Sequence, residues 1–270
     1  MELGADDYLT KPFTPNELLK AIAIRLEKNE VMEARYQQEL AELRQNIRLA
    51  IPQEIRTPIT GIISSTDFLL GELETLEPLL MGQMLELIRS SSERLWRLTQ
   101  NFILYTELEA MREDKERVKE LRNRQISSAK ETIAKVAEKK ASQVNRQRDL
   151  KLELEEAAVK IGKDSLVKLV EELVDNSLKF SQPETPISIC STIENNNFIL
   201  TISDRGEGMN PEEIEKIGPY MQFNRPIREQ QGVGLGLAIC QRLIKLHQGK
   251  LSVDSIPKQK TTVTVSLPIE

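Results

Sequence analysis

Three short motifs in this chain combine residue types that can handle a phosphorylated ligand. In LVKLVEELVDNSLKFS, Glu172, Asn176 and Lys179 recur at spacings of four and three, so on a helix they project from one side. That side carries a base, an amide and a cation. A carboxylate and an amide oxygen suit a hard cation such as Mg²⁺, which prefers oxygen ligands and keeps several waters while bridging phosphates. An ordinary solvated helix face has the same composition, so this motif alone decides nothing.

The second motif, DRGEGM, follows a strand-like run and sets Asp204 ahead of Gly206 and Gly208. A carboxylate at a strand end beside permissive backbone can accept a hydrogen bond from an exocyclic amine such as that of adenine; a plain solvent-facing turn uses the same residues. In the third, QGVGLGLAICQRLIKL, Gly232, Gly234 and Gly236 stand directly before an apolar helix. Bare backbone N–H groups and the positive helix end there form a cradle for an anion. The motif lacks the Lys-Ser/Thr ending of a P-loop, and no βαβ unit with a downstream acidic residue surrounds it, so neither Walker nor Rossmann chemistry is supported.

Composition narrows the field further. The 270 residues carry 37 Lys and Arg against 42 Asp and Glu, a net charge of -5, which offers no general attraction to nucleic acid. A single histidine, His247, excludes chemistry that needs two imidazoles. Cys190 and Cys240 lie far apart without CxxC spacing, so neither a disulfide framework nor a zinc site is indicated, and a reducing cytoplasm fits. No apolar run approaches the roughly 20 residues of a membrane span, and no signal peptide is visible.

The elements that must position the motifs can be read from periodicity. A helix is expected from Thr14 as N-cap and Pro15 at its first position. Tyr36, Leu40, Leu43, Ile47 and Ala50 keep the alternating four and three spacing of a coiled-coil seam. The helical rhythm continues through Pro52 and Pro58, where a kink is expected, to an acidic turn at Gly71 and Glu72. A second helix runs from Pro78 to about Arg112 with Leu85, Ile88, Leu95, Leu98, Phe102 and Leu108 as its stripe. Such a hairpin has too thin a core alone and commonly dimerises into a four-helix bundle. Beyond it, helices are expected over 125–147 and 165–181. Alternating strands are expected around Leu150–Leu154 and over 187–193, 198–203, 251–255 and 261–267. The fold class is α+β: a helical hairpin, then an α/β sandwich with helices on one face of a mostly antiparallel sheet.

Taken in order, the three motifs resemble the catalytic ATP-binding domain of sensor histidine kinases, whose wider superfamily includes DNA gyrase, a heat-shock chaperone and a mismatch-repair protein. The resemblance implies ATP and Mg²⁺ as ligands, with Asn176 the metal ligand, Glu172 its acidic partner and Lys179 a phosphate contact. It makes Asp204, with Gly206 and Gly208, the adenine-reading glycine box. Residues 208–231 would be a lid containing the aromatic Phe223, and Gly232, Gly234 and Gly236 the second glycine box. His247 lies where the family often carries a histidine, and an exposed or capping role is expected of it. The final hairpin, in IPKQKTTVTVSLP, lacks the glycine the family commonly places before its last strand.

The hairpin carries QEIRTPITGI, which resembles the family's H box with Glu54, Arg56, Thr57 and Pro58 matched and Gln53 at the histidine position. The lone pair of a glutamine amide nitrogen is delocalised into its carbonyl and is a poor nucleophile. Autophosphorylation is therefore expected to be lost. Glu54 resembles the proton acceptor beside the imidazole, and Thr57 the residue that positions water in phosphatase reactions. GADDYLTKPF resembles the end of a response-regulator receiver domain with Lys11 at its phosphate-contacting position, so the chain reads as a piece of a longer receiver-kinase protein. The expected domains are 1–29 (receiver remnant and connecting helix), 30–113 (dimerisation and phosphoacceptor hairpin) and 114–270 (ATP-binding domain). The expected partners are a second copy and a receiver domain, with no nucleic acid and no membrane span. An introduced histidine-to-glutamine change fits the intact boxes better than natural decay. The alternatives are an ATP-gated pseudokinase scaffold and a response-regulator phosphatase working through Thr57.

Overall fold

A computed structural model describes residues 14–72, 75–112, 114–215 and 234–269; side chains are not described at 17, 21 and 28–53. Residues Met1–Leu49 and Ala50–Glu270 form two compact units. Lys11 and the receiver-like tail lie outside the described residues, as do the side chains of the coiled-coil seam.

Helix α1 spans Pro15–Gly71, beginning at the proline whose missing N–H suits a first turn. It continues as helix through Pro52 and Pro58, the positions at which a kink is expected. Helix α2 spans Pro78–Met111, again with proline at its start, after Glu77 in extended conformation. The arms are joined by an ion pair, Arg94 Nη2 to Glu54 Oε2 at 2.8 Å. No helix among the described residues is long and apolar enough to cross a membrane.

Helix α3, Lys115–Arg122, was not expected from periodicity; Asp114 caps it by accepting from the Arg117 N–H at 3.1 Å. Helix α4 spans Ala129–Gln143 rather than 125–147. Two interactions delay its start. Ile126 is drawn into an antiparallel bridge with Val159, and the Ser128 hydroxyl accepts from the Glu131 N–H, which sets the first turn three residues later. At the far end Asn145 takes φ 57° and ends the helix.

Strand β1 (Leu150–Leu154), helix α5 (Lys163–Phe180), strands β2 (Ile187–Glu194) and β3 (Asn197–Asp204), helices α6 (Pro211–Glu215) and α7 (Leu235–Leu246), and strands β4 (Lys250–Ile256) and β5 (Lys260–Pro268) complete the order. The sheet runs β1-β2-β3-β5-β4, with β1 parallel to β2 and the remaining pairs antiparallel. Asn195 and Asn196 link β2 to β3 with φ of 47° and 64°, the paired left-handed geometry of a two-residue hairpin. At the β4–β5 turn, Lys258 adopts φ 58° in the hairpin without glycine. Alternation buries Phe198, Leu200 and Ile202 of β3 in one core with Leu169, Leu173 and Ile244 of the helical layer. Asp204 is the last inward position of that same row. A carboxylate thus terminates an apolar file.

Candidate functional site

The site is built where the end of α5 meets the end of β3. Leu166, Leu169, Val170, Leu173, Val174 and Ser177 turn inward from α5, which leaves Asn176 and Lys179 half-buried at its flank. Asp204 is 5% exposed. Its Oδ1 accepts the Gly206 N–H at 2.9 Å, and Ser177 of α5 lies near enough to favour its charged form. Burial pushes its pKa up to about 6, against the lowering effects of Ser177, the Gly206 N–H and Arg146. The group is an ionised, desolvated acceptor at neutral pH.

The glycines after Asp204 are required by backbone approach. A Cβ on Gly206 would lie 2.3 Å from the Phe180 carbonyl oxygen, where Gly206 bridges to Ser181 and the Glu207 N–H donates to Phe180 at 3.2 Å. Gly208 has φ 64°, and its Cβ would lie 2.2 Å from the Ile256 carbonyl oxygen. This strap therefore presses against both the end of α5 and the β4–β5 hairpin. Beyond it, Asn210 and Glu213 cap α6 reciprocally at 2.9 and 2.8 Å. Gly234, with φ 71°, is the N-cap of α7. Phe223, Gly232 and the intervening lid residues from 216 lie outside the described residues.

Glu172 does not lie on a solvated face. It is 8% exposed; Oε1 accepts from Lys168 Nζ at 2.5 Å and from Asn101 Nδ2 of α2 at 3.2 Å. Lys168 also reaches Asn101 Oδ1 at 2.6 Å. A Cβ on Gly236 would lie 2.3 Å from Glu172 Oε2, so the third glycine makes room for this carboxylate at the start of α7. The Asn176 amide has no hydrogen-bond partner among the described residues. No group of three His, Cys, Asp or Glu side chains able to hold a metal occurs there either. That donor set fits a Mg²⁺ held by one amide oxygen, waters and the ligand's own phosphates. Lys179 Nζ stands 4.8 Å from the centre of the Phe180 ring.

Arg146 carries no motif in the sequence yet organises the site from beneath. At 6% exposure it donates to Asp149 and to the carbonyls of Leu178, Ser181, Gln182 and Thr185, which are the last groups of α5 and the loop after it. No local periodicity announces such a residue. His247 is buried, not exposed, and of the two expected roles the capping one holds: it is the C-cap of α7, with Nδ1 2.8 Å from the Leu243 carbonyl. Its Nε2 is buried with no hydrogen-bond partner among the described residues, and burial lowers its pKa. On the hairpin, Glu54 is held by Arg94 and Thr57 is exposed; the Gln53 side chain lies outside the described residues. A cavity of about 580 Å³ lined by Lys151, Ser188, Ser203, Arg205 and Lys260 touches Asp204 but no residue of α5 or α7, so it is not the cleft the motifs define.

Residues 50–111 match the family model described as His Kinase A (phospho-acceptor) domain, and residues 162–270 match Histidine kinase-, DNA gyrase B-, and HSP90-like ATPase. The chain is 36% identical over 117 residues to the Sensor protein EvgS of Escherichia coli (strain K12), covering 42% of this chain and 10% of that protein. It is 26% identical over 251 residues to a sensor-like histidine kinase of Rhizobium meliloti (strain 1021), covering 90% and 46%. It therefore spans between a tenth and about half of these curated relatives. Among solved structures, the Acinetobacter baumannii histidine kinase AdeS shares the fold at a TM-score of 0.59 and 21% identity, over 80% of this chain and 98% of that one. Full-length ShkA in complex with AMPPNP does so at 0.56 and 18%, over 84% and 46%.

Proposed function

The chain is a sensor histidine kinase core, with the family's phospho-acceptor hairpin ahead of its ATPase-type domain, and on that premise we propose that it binds Mg-ATP but cannot phosphorylate itself. The observation that carries the nucleotide reading is the bridge between Gly206 and Ser181, which ties the turn after the strand-end carboxylate Asp204 to the end of α5, the helix that carries Asn176 and Lys179. Asp204 would accept the adenine amine, with Gly206 and Gly208 keeping the strap thin enough for the base to approach. Asn176 would hold the Mg²⁺, Lys179 would contact phosphate, and Gly232, Gly234 and Gly236 would present N–H groups at the start of α7. Phe223 would close over the nucleotide. When bound, Mg-ATP supplies an electrophilic γ-phosphorus. The hairpin supplies Glu54, fixed by Arg94, beside Gln53, whose amide is no acceptor.

The domains follow as a connecting segment to residue 29, the hairpin to 113 and the ATP-binding domain from 114. Exposed Ile59, Ile63 and Leu70 on α1, and Leu85 and Trp96 on α2, support a homodimer that covers them. A receiver domain is the proposed second partner. Thr57, exposed one turn beyond Gln53, supports a second reading, water-mediated dephosphorylation of that receiver.

The test is incorporation of label from γ-labelled ATP into this chain and its Gln53→His variant. Acid-labile label in the variant alone is expected. Labelling of both chains, or of neither despite nucleotide binding, would overturn the proposal.

A further inference from the structure

The face of the sheet turned away from the helices is polar where β3 ends and β5 begins. Lys151 of β1, Ser188 of β2, Ser203 of β3 and Thr262 of β5 stand opposite one another in a single row across the strands. Arg205, just past the end of β3, and Lys260, the first residue of β5, extend the pairing of Asp204 with Thr261 by one step. Lys151, Ser188, Ser203, Arg205 and Lys260 line the cavity of about 580 Å³ noted above. Asp204 borders it too, but its side chain belongs to the inward row with Ile202 and is buried.

Three cations therefore share one cavity. None of them pairs with a carboxylate among the described residues. Glu153 and Asp254 come to the same face, but Glu153 stands opposite Cys190, with Oε2 4.0 Å from its Sγ, and Asp254 stands opposite Thr262 on the far side of β5. Neither lines the cavity. The chain as a whole carries a net charge of -5, so this local excess of positive charge does not come from composition. Like charges around one space repel each other, and an anion among them removes that repulsion while accepting a charge-assisted hydrogen bond from each. Hydroxyls add further donors. That of Ser188 has no partner among the described residues, and those of Ser203 and Thr262, 3.0 Å apart, share one hydrogen and keep the other to give. Apart from Pro186 every lining residue is polar or charged, so a neutral apolar ligand gains little there.

We propose that this cavity is a second ligand site, on the opposite face of the sheet from the nucleotide cleft, and that it takes a small polyanion, a phosphate ester or a polycarboxylate. Lys151, Arg205 and Lys260 hold its charge, and Ser188 and Ser203 orient it.

The experiment is calorimetric titration of the full chain, in EDTA at fixed ionic strength, with pyrophosphate and separately with citrate. At least one is expected to bind, and the tighter of the two shows whether phosphate or carboxylate groups suit the site. In the double variant Lys151→Gln, Lys260→Gln, at two exposed positions, that affinity is expected to fall by about tenfold or more as charge-assisted hydrogen bonds are lost. Lys179→Gln, which removes the cation of the nucleotide motifs instead, is expected to leave it unchanged. No binding by the unaltered chain, unchanged binding by the double variant, or an equal loss in Lys179→Gln would overturn the proposal.

Discussion

Asp204→Asn should make the nucleotide-free protein more stable and a worse nucleotide binder. The carboxyl titrates near 3.8 when unfolded and at about 6 in the folded chain. Between those values the folded state holds a proton that the unfolded state has lost, so stability is full below pH 3.8 and falls as pH rises through about 6. Each pH unit of that interval is worth about 1.4 kcal/mol, which amounts to about 3 kcal/mol above pH 7. At 5% exposure the side chain gains little from solvent screening. Asparagine keeps the shape and the oxygen that accepts the Gly206 N–H, and removes only the charge. Urea unfolding at pH 4 and pH 8 reads this directly. It should be followed by circular dichroism, since Trp96, the one tryptophan, is exposed on the hairpin. The variant should match the parent at pH 4 and exceed it by about 2–3 kcal/mol at pH 8. Its nucleotide affinity should fall by about one to two orders of magnitude as a charged hydrogen bond is lost. A difference independent of pH, or a variant less stable at pH 8, would refute the desolvation argument.

Three further outcomes are expected. Arg146→Met should cost about 3–5 kcal/mol in denaturant unfolding, because it strips donors from a cluster of buried carbonyls and leaves Asp149 without its cation; a cost under about 1 kcal/mol would mean that water replaces the guanidinium. Gly236→Ala should destabilise by about 1–3 kcal/mol, and most of that should vanish in Glu172→Ala, measured as a double-mutant cycle; additive effects would show that the two do not meet. His247 takes up a proton less readily when folded than when unfolded, so its contribution is present above its unfolded pKa of 6.5 and is lost as pH falls below it. In His247→Phe that acid-side loss of stability should flatten, and an unchanged slope would contradict its burial.

The sheet was legible in the sequence because strand alternation is a local property. All five strands fall where apolar and polar residues alternate, within a residue or two of their ends. The long hairpin helices were legible for the same reason, as were Pro15 and Pro78 at their starts. Helix α3 and the late start of α4 were not. The first is too short and too polar for periodicity to detect, and the second is set by a bridge to Val159, 33 positions downstream of Ile126.

The candidate site divides along the same line. Sequence alone determined the order and spacing of the motifs, the glycines that keep backbone bare, and the glutamine at position 53, because these follow from bond connectivity and side-chain chemistry. Only the tertiary structure decided what each group meets. Glu172 is held by Asn101, 71 residues away, Arg146 caps a helix end more than 30 residues downstream, and His247 is buried rather than exposed. Burial and long-range pairing depend on how the elements pack, and packing sets the desolvation and charge pairing that give these side chains their chemistry.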